Sequence, residues 1–492
     1  MERESGWCVM RSCIGKSLLV GILALGPVAP AAAQTQSEAA WLETVEAEGP
    51  TEIERGAYLA RAADCMSCHI GPDGTAYAGG KPIETPLGDI VAPNITPSDE
   101  YGIGDYDLAD FRAVLRDGRS PDHMLYPAMP YAYYRDMPDE DIAALWAYMQ
   151  TVEPVERAPE AETDLPFPFN VRLSMRVWNA LALDDRTWPQ DPQLARGAYL
   201  VDVLGHCGAC HTPRNGLMIP QDDQYLGGAK IRGWIAPNIT PADNGGLGHW
   251  EVADIADYLR TGQAMDVVQA AGPMAEVVHF STRHLDDDDL MAIGAYLKSV
   301  PTLPTPGQER PIVLPAAERP EYAHEFGSIR EDMTRALADD GVTGTARLYV
   351  ETCASCHGVD GQGQAPAYYP PLQDSATIRR ADATNLVQVI ANGVQHEMLY
   401  RAPPMPALRG DLTDPQIAEL ANYVRTEFGG FETSDLAAED VNAILNPVQD
   451  LPFYIEYAAT LAWIAIALVL IGLAALGWLV WSRYGRGERS GA

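Results

Sequence analysis

Three times along this chain two cysteines stand three residues apart, and a histidine follows the second at once. The runs are Cys65, Cys68 and His69; Cys207, Cys210 and His211; and Cys353, Cys356 and His357. A C-x-x-C-H run is an attachment site for a c-type haem. Its two thiols add across the vinyl groups, and the adjacent histidine is then held beneath the iron as proximal ligand. A thioredoxin-like pair does not need the histidine and would not recur three times. Structural zinc needs four ligands, and no second pair lies close behind any of these runs. The remaining two of the eight cysteines, Cys8 and Cys13, fall in the N-terminal leader described below.

The surroundings of the runs repeat as well. RGAYLARAADCMSCH at 55–69 returns as RGAYLVDVLGHCGACH at 196–211, and more loosely as ARLYVETCASCH at 346–357. APNITP at 92–97 recurs at 236–241, and GIGDYDLADFRAVLRDG matches GLGHWEVADIADYLRTG. A methionine thioether opposite the histidine makes an electron-transfer haem, whereas an open position permits small-molecule chemistry. The repeat places Met129 (PAMPYAYY), Met274 (GPMAEVVH) and Met405 (HEMLYRAPPMPAL) in that role. Met124, Met265 and Met398 are rivals, and His123, His279 and His396 are alternative ligands. Each methionine precedes an amphipathic stretch: DEDIAALWAYM, DDDDLMAIGAYL and TDPQIAELANYV. In the first, Ile142, Leu145, Trp146 and Met149 fall at i, i+3, i+4 and i+7 of a helix. In the third, Asp414 followed by Pro415 marks a helix start. The order of helix, haem run, loops, methionine loop and closing helix is the c-type cytochrome plan. The expected fold is mainly α, with three tandem class I cytochrome c-like domains and one C-terminal transmembrane helix.

Two motifs have plainer readings. Asn94-Ile95-Thr96 and Asn238-Ile239-Thr240 match the glycosylation pattern, but the repeat ties them to the haem units. They read as a loop near a haem propionate or as turn chemistry. The acidic run at 286–289 suggests calcium, and a helix N-terminus that attracts acids explains it as well.

The ends of the chain give its address. Arg11 and Lys16 precede the apolar run SLLVGILALGPVAPAAA, so residues 1–33 read as a signal peptide, with Met10 an alternative start. Residues 457–482 hold no charge and are long enough to span a bilayer; Arg483, Arg486 and Arg489 follow. This places the body in the periplasm and residues 483–492 in the cytoplasm, across the bacterial inner membrane. Between these ends lie domain 1 (51–151), a connector (152–191), domain 2 (192–300), a Pro-rich linker (301–339), domain 3 (340–429) and a polar linker (430–456). In the connector, Val171, Met175 and Trp178 suggest one apolar face beside Arg172 and Arg176, on an ordinary bridging helix. The formal net charge of −34, from 68 Asp+Glu against 34 Lys+Arg, argues against a nucleic-acid partner.

The tandem RGAYL…CxxCH units, paired APNITP loops, PFPFNVR connector, third unit and tail resemble the membrane-bound trihaem cytochrome c subunit of periplasmic dehydrogenases. The family serves quinoprotein alcohol dehydrogenases, flavin-dependent gluconate, sorbitol and fructose dehydrogenases, and molybdenum aldehyde dehydrogenases. The resemblance implies three covalent haem c groups on Cys65, Cys68, Cys207, Cys210, Cys353 and Cys356. It implies axial pairs His69/Met129, His211/Met274 and His357/Met405. It also implies a dehydrogenase partner that oxidises CH–OH donors, ubiquinone as acceptor, membrane lipid around the span, and no catalytic residue in this chain. Two other classes stay open: a cytochrome subunit of a terminal oxidase, and a multihaem enzyme such as a peroxidase or thiosulfate-oxidising cytochrome.

Overall fold

The computed structural model describes residues 50–183, 189, 191–231, 233–318, 328–363, 369–394, 404–447 and 451–484. The leader, Arg486, Arg489, His396 and Met398 lie outside them. The first repeat opens on the helix Glu52–Ala62. Thr51 and Glu54 cap it reciprocally: the Thr51 hydroxyl accepts from the Glu54 amide and the Glu54 carboxylate from the Thr51 amide. Leu59, Ala60 and Ala62 turn inward. Gly56 meets the closing helix Asp139–Met149 so tightly that any Cβ would overlap the Ala144 carbonyl. On that closing helix Ile142, Leu145 and Met149 are buried, and Trp146 packs 5.2 Å from Phe111. The i, i+3, i+4, i+7 face is thus the core face. Each such side chain contributes roughly 1.5–3 kcal/mol on burial.

The second repeat copies this crossing. Its opening helix Pro192–Ala198 meets the closing helix Asp287–Ser299 where Gly197 lies against Ala292. In the third, Gly344–Thr352 packs with Asp414–Glu427. Thr413 caps the latter with Gln416, Pro415 sits in its first turn, and Ile417 and Leu420 are buried. The residue before the first cysteine is left-handed in the first two repeats: Asp64 has φ 54° and His206 φ 36°. That kink ends the helix and swings the cysteines into a separate turn. The second repeat has one residue more between its tyrosine and first cysteine than the first. A short π-helical turn, Tyr199–Leu204, absorbs it, with the Gly205 amide donating to the Leu200 carbonyl over 2.7 Å.

The first and second repeats share one apolar core, and the third has its own. Several segments differ from their sequence reading. Two antiparallel hairpins, Pro82–Thr85 with Gly88–Val91 and Ala229–Ile231 with Trp234–Ala236, lie where loops were expected. The Pro-rich strap buries Ile312 and Val313 in the shared core, and a helix, Ser328–Ala338, forms once the prolines end. The stretch read as a polar linker holds the helix Ala438–Leu445, because Val441 and Leu445 complete the third core.

The connector forms the helix Met175–Ala182 after a short 3₁₀ turn. Trp178 packs 6.2 Å from Tyr131, and the Tyr131 hydroxyl donates to Asn179 over 2.8 Å. The expected face of Val171, Met175 and Trp178 divides: Met175 and Trp178 are half-buried, while Val171 is exposed. The helix is apolar on both sides, and Leu173, Val177 and Leu181 point outward. The last described element is the helix Ala458–Tyr484. Its residues Ala458–Ser482, with mean hydropathy 2.5, are long and apolar enough to cross a membrane.

Candidate functional site

The three histidines sit at the ends of short helical turns, Cys65–His69, Gly208–His211 and Ala354–His357. Each ring faces a proline carbonyl through Nδ1: His69 to Pro93 at 2.8 Å, His211 to Pro237 at 2.7 Å and His357 to Pro370 at 2.8 Å. A carbonyl oxygen only accepts, so Nδ1 carries the proton and Nε2 keeps its lone pair. Burial pushes all three imidazoles below the ordinary histidine range, which favours the neutral ligand form. The same tautomer is therefore set three times by the same device.

Pro93 and Pro237 belong to the APNITP loops, and this gives those motifs a task. The Asn94 side-chain oxygen accepts from the Thr96 amide at 2.9 Å and the Thr96 hydroxyl at 2.7 Å. Its amide donates to the Val155 carbonyl at 2.9 Å, and the Thr96 hydroxyl accepts from the Val155 amide at 3.0 Å. Asn238 and Thr240 repeat the pattern with Leu303. The motif is a turn that staples the proline loop to the strap after the closing helix. Asn94 and Asn238 are 2% and 3% exposed, which leaves no room for a glycan. The third repeat lacks APNITP, and Pro370 supplies its carbonyl instead.

All six cysteines are half-buried, and none enters a disulfide. Burial pushes the Cys65 and Cys207 thiols up to about 12 and raises Cys353. Such thiols are poor nucleophiles at neutral pH, which speaks against thiol redox chemistry. Among the described residues no group of three or more His, Cys, Asp or Glu side chains is placed to hold a metal ion. Cys65 and Met129 border the shared core, as do Cys207, Met274 and Met265; Cys353 borders the third core. Met405 pairs its backbone with Val394, its carbonyl accepting at 3.0 Å. Met124 is buried, and its carbonyl accepts from Arg172 at 3.2 Å. His123 is exposed; His279 packs on Phe280. The residues fit a covalently held haem: two thiols and one neutral imidazole per turn, in apolar surroundings. In the second repeat the Trp250 indole N–H, buried with no acceptor among the described residues, is a donor to spare for a polar edge of such a group.

The first two repeats also exchange side chains in a reciprocal manner. The Tyr58 hydroxyl donates to Asp289 at 2.5 Å, and the equivalent Tyr199 hydroxyl donates to Asp141 at 2.5 Å. Each aspartate is held within its own repeat by the equivalent arginine: Arg55 on Asp141, and Arg196 bidentate on Asp289 at 2.8 and 2.5 Å. The acidic run at 286–289 thus has a partner in its last residue. His206 meets Tyr134 edge-to-face, ring centres 5.6 Å apart, and the Tyr134 hydroxyl donates to the Ala63 carbonyl at 2.5 Å. This brings the second cysteine turn against the first. Sequence reading missed these pairs, although the repeated RGAYL tyrosine was in view.

The cytochrome c family model matches residues 53–153 and 194–301, and the model described as cytochrome c oxidase, cbb3-type, subunit III matches 341–424. The chain is 43% identical over 398 residues to the fructose dehydrogenase cytochrome subunit of Gluconobacter japonicus, covering 78% of this chain and 80% of that one. It is 37% identical over 412 residues to the gluconate 2-dehydrogenase cytochrome c subunit of Pantoea cypripedii, covering 80% and 89%. It is 36% identical over 411 residues to the cytochrome c subunit of the quinone alcohol dehydrogenase of Gluconobacter oxydans, covering 80% and 82%.

Proposed function

This chain belongs to the family of cytochrome c subunits of dehydrogenase complexes, and on that premise we propose that it is a membrane-anchored relay of three haem c groups. It carries electrons from a periplasmic dehydrogenase acting on alcohols, sugars, sugar acids or aldehydes towards ubiquinone. The observation that carries the reading is the histidine–proline carbonyl bond made alike at all three cysteine turns.

Each bound haem supplies a one-electron iron couple. The chain's own residues do the rest. Cys65/Cys68, Cys207/Cys210 and Cys353/Cys356 would hold the groups covalently. His69, His211 and His357 offer Nε2 while the proline carbonyls fix their orientation. Met129, Met274 and Met405 would each offer a thioether to the iron, which would leave it no position for small molecules. The apolar cores lower the cost of reorganisation by excluding water. The helix Ala458–Tyr484 anchors the chain in the inner membrane with its body in the periplasm. No residue of this chain oxidises the substrate; that chemistry belongs to the partner, whether flavin-, quinoprotein- or molybdenum-dependent.

The match of residues 341–424 to an oxidase subunit model favours a second reading, a cytochrome subunit of a terminal oxidase. It bears on that stretch alone, whereas the dehydrogenase relatives span about four-fifths of the chain. Purification from native membranes in mild detergent, with mass spectrometry of co-purifying chains, separates the two. A dehydrogenase subunit is expected; oxidase subunits alone would overturn the reading.

A further inference from the structure

Three arginines of the third repeat lie around one loop, and two of them have partners. Arg379 pairs with Asp374 at 2.9 Å and donates to the Pro311 carbonyl at 3.2 Å. Arg425 donates to the Arg380 and Ala381 carbonyls at 3.1 and 3.0 Å. Arg380 differs. Among the described residues no carboxylate pairs with its guanidinium and no carbonyl accepts from it. Burial pulls the group down to about 10, below the ordinary arginine value, and Tyr258 and Asp382 oppose this through charge alone. An enclosed cation without a bonded anion is costly, so its site calls for one.

The fold aims this side chain out of its own repeat. The main chain here is fixed on three sides. Arg425 holds the Arg380 carbonyl, and Gln308 of the strap accepts from the Ala381 amide at 2.7 Å. The Ala376 amide donates to the Val267 carbonyl of the second repeat at 3.0 Å. From this anchorage the Arg380 charge acts on Tyr258 and on His211, both in the second repeat. Tyr258 packs on the same small apolar cluster as Met274 and meets Trp250 edge-to-face, ring centres 5.8 Å apart. Trp250 is the residue whose buried indole N–H has no acceptor among the described residues. A guanidinium from the third repeat and an indole from the second thus meet around Tyr258, both donors and neither with an acceptor.

We propose that Arg380 completes the second repeat's haem site, its guanidinium binding, with the Trp250 indole, a carboxylate of the haem attached at Cys207 and Cys210. A haem brings two carboxylates, and a guanidinium matches such a group with two parallel N–H bonds. The third repeat then helps to set the potential of the second haem. A cation beside the carboxylate offsets its charge, which makes an added electron on the iron easier to hold. The proposal rests on reading the three cysteine turns as haem sites.

The test uses the full-length holoprotein, its haem carboxylates labelled with carbon-13 through 5-aminolevulinate. Intact mass comes first: absence of a haem at Cys207 and Cys210 in the wild-type protein would overturn the haem reading itself. Spectroelectrochemical titration then compares wild type with Arg380→Gln, Arg380→Lys and Arg379→Gln. In Arg380→Gln one midpoint should fall by about tenfold in the reduction equilibrium, about 59 mV for one electron, with the other two unmoved. Arg380→Lys keeps the charge and should hold most of the wild-type value. Arg379→Gln breaks the Asp374 pair in the same loop, and should leave all three midpoints in place. Asn238→Ala cuts the staple behind Pro237 and so marks the second haem's midpoint, on which the Arg380→Gln shift must fall. In reduced-minus-oxidised infrared spectra one label-sensitive carboxylate band should be displaced by Arg380→Gln. Unmoved midpoints, a shift on another haem, or an equal shift from Arg380→Lys or Arg379→Gln would overturn the proposal. So would an unaltered labelled band with a midpoint that follows added inorganic phosphate, which would make the guanidinium a site for a free anion.

Discussion

The Tyr199 hydroxyl of the second repeat donates to the Asp141 carboxylate of the first over 2.5 Å. Tyr58 returns the same bond to Asp289. Both aspartates are buried, so each hydroxyl solvates a charge that water reaches poorly. Tyr199→Phe should cost about 1.5–3 kcal/mol, the value of a hydrogen bond to a charged group, and Tyr58→Phe a similar amount. Denaturant unfolding of the holoprotein, followed at the haem bands, measures both. The haem spectra of the folded variants should not change, because neither tyrosine is a ligand in this account.

Asp64 titrates in the opposite sense to an ordinary surface acid. It is 8% exposed, and burial pushes it up to about 8, with the Ser67 hydroxyl bond opposing. The folded chain keeps a proton that the unfolded chain releases near 3.8. Protons bound in the folded state exceed those in the unfolded state between these values, so this group makes stability fall as pH rises from about 4 to about 8. Asp64→Asn, which tolerates the left-handed backbone, should remove that slope and stabilise the protein relative to wild type at pH 8. Melting curves of both proteins across this range check it.

The asparagine of each APNITP loop controls the histidine from behind. Without Asn94 the Pro93 carbonyl loses its staple to Thr96 and Val155. Asn94→Ala should cost about 1–3 kcal/mol through the unpaired groups it leaves. A weaker bond from the His69 Nδ1–H also makes the imidazole less basic towards iron, so one haem potential should rise. A spectroelectrochemical titration should find one of the three midpoints shifted upward and the other two unmoved.

The third repeat docks on the second through amide side chains. Asn385 accepts from the Ile235 amide at 2.8 Å and donates to the Ile235 carbonyl at 2.9 Å, extending the hairpin edge. Gln388 donates to the Gly233 carbonyl at 2.8 Å. Asn385→Ala should loosen this joint by about 1–3 kcal/mol and leave the first two repeats intact. Faster amide exchange at Ile235 and around 384–392, with unchanged exchange near Tyr58, is the expected pattern.

Much of this was legible in the sequence because periodicity and spacing are side-chain properties. Ile142, Leu145 and Met149 point inward as their spacing requires, and Pro415 opens a helix. What stayed hidden depends on the backbone or on partners far along the chain. Any residue carries a carbonyl, so Pro370 gives no sign that it serves His357 as Pro93 serves His69. Asp289 reads as a helix-terminal acid until Tyr58, 231 residues away, is placed against it. The four-residue strands at 82–91 are too short for alternation to stand out from a loop. The outward Leu173, Val177 and Leu181 were missed because a helix with apolar residues on two sides does not tell which side meets the protein.

The central claim, three covalent haems on one chain, is tested most directly by intact-mass analysis of the mature protein, with alkylation under denaturing conditions. The account predicts a mass three haems above the polypeptide and no reactive thiol at Cys65, Cys68, Cys207, Cys210, Cys353 or Cys356. A mass with fewer haems, together with an alkylated pair at any one of the three turns, would contradict it.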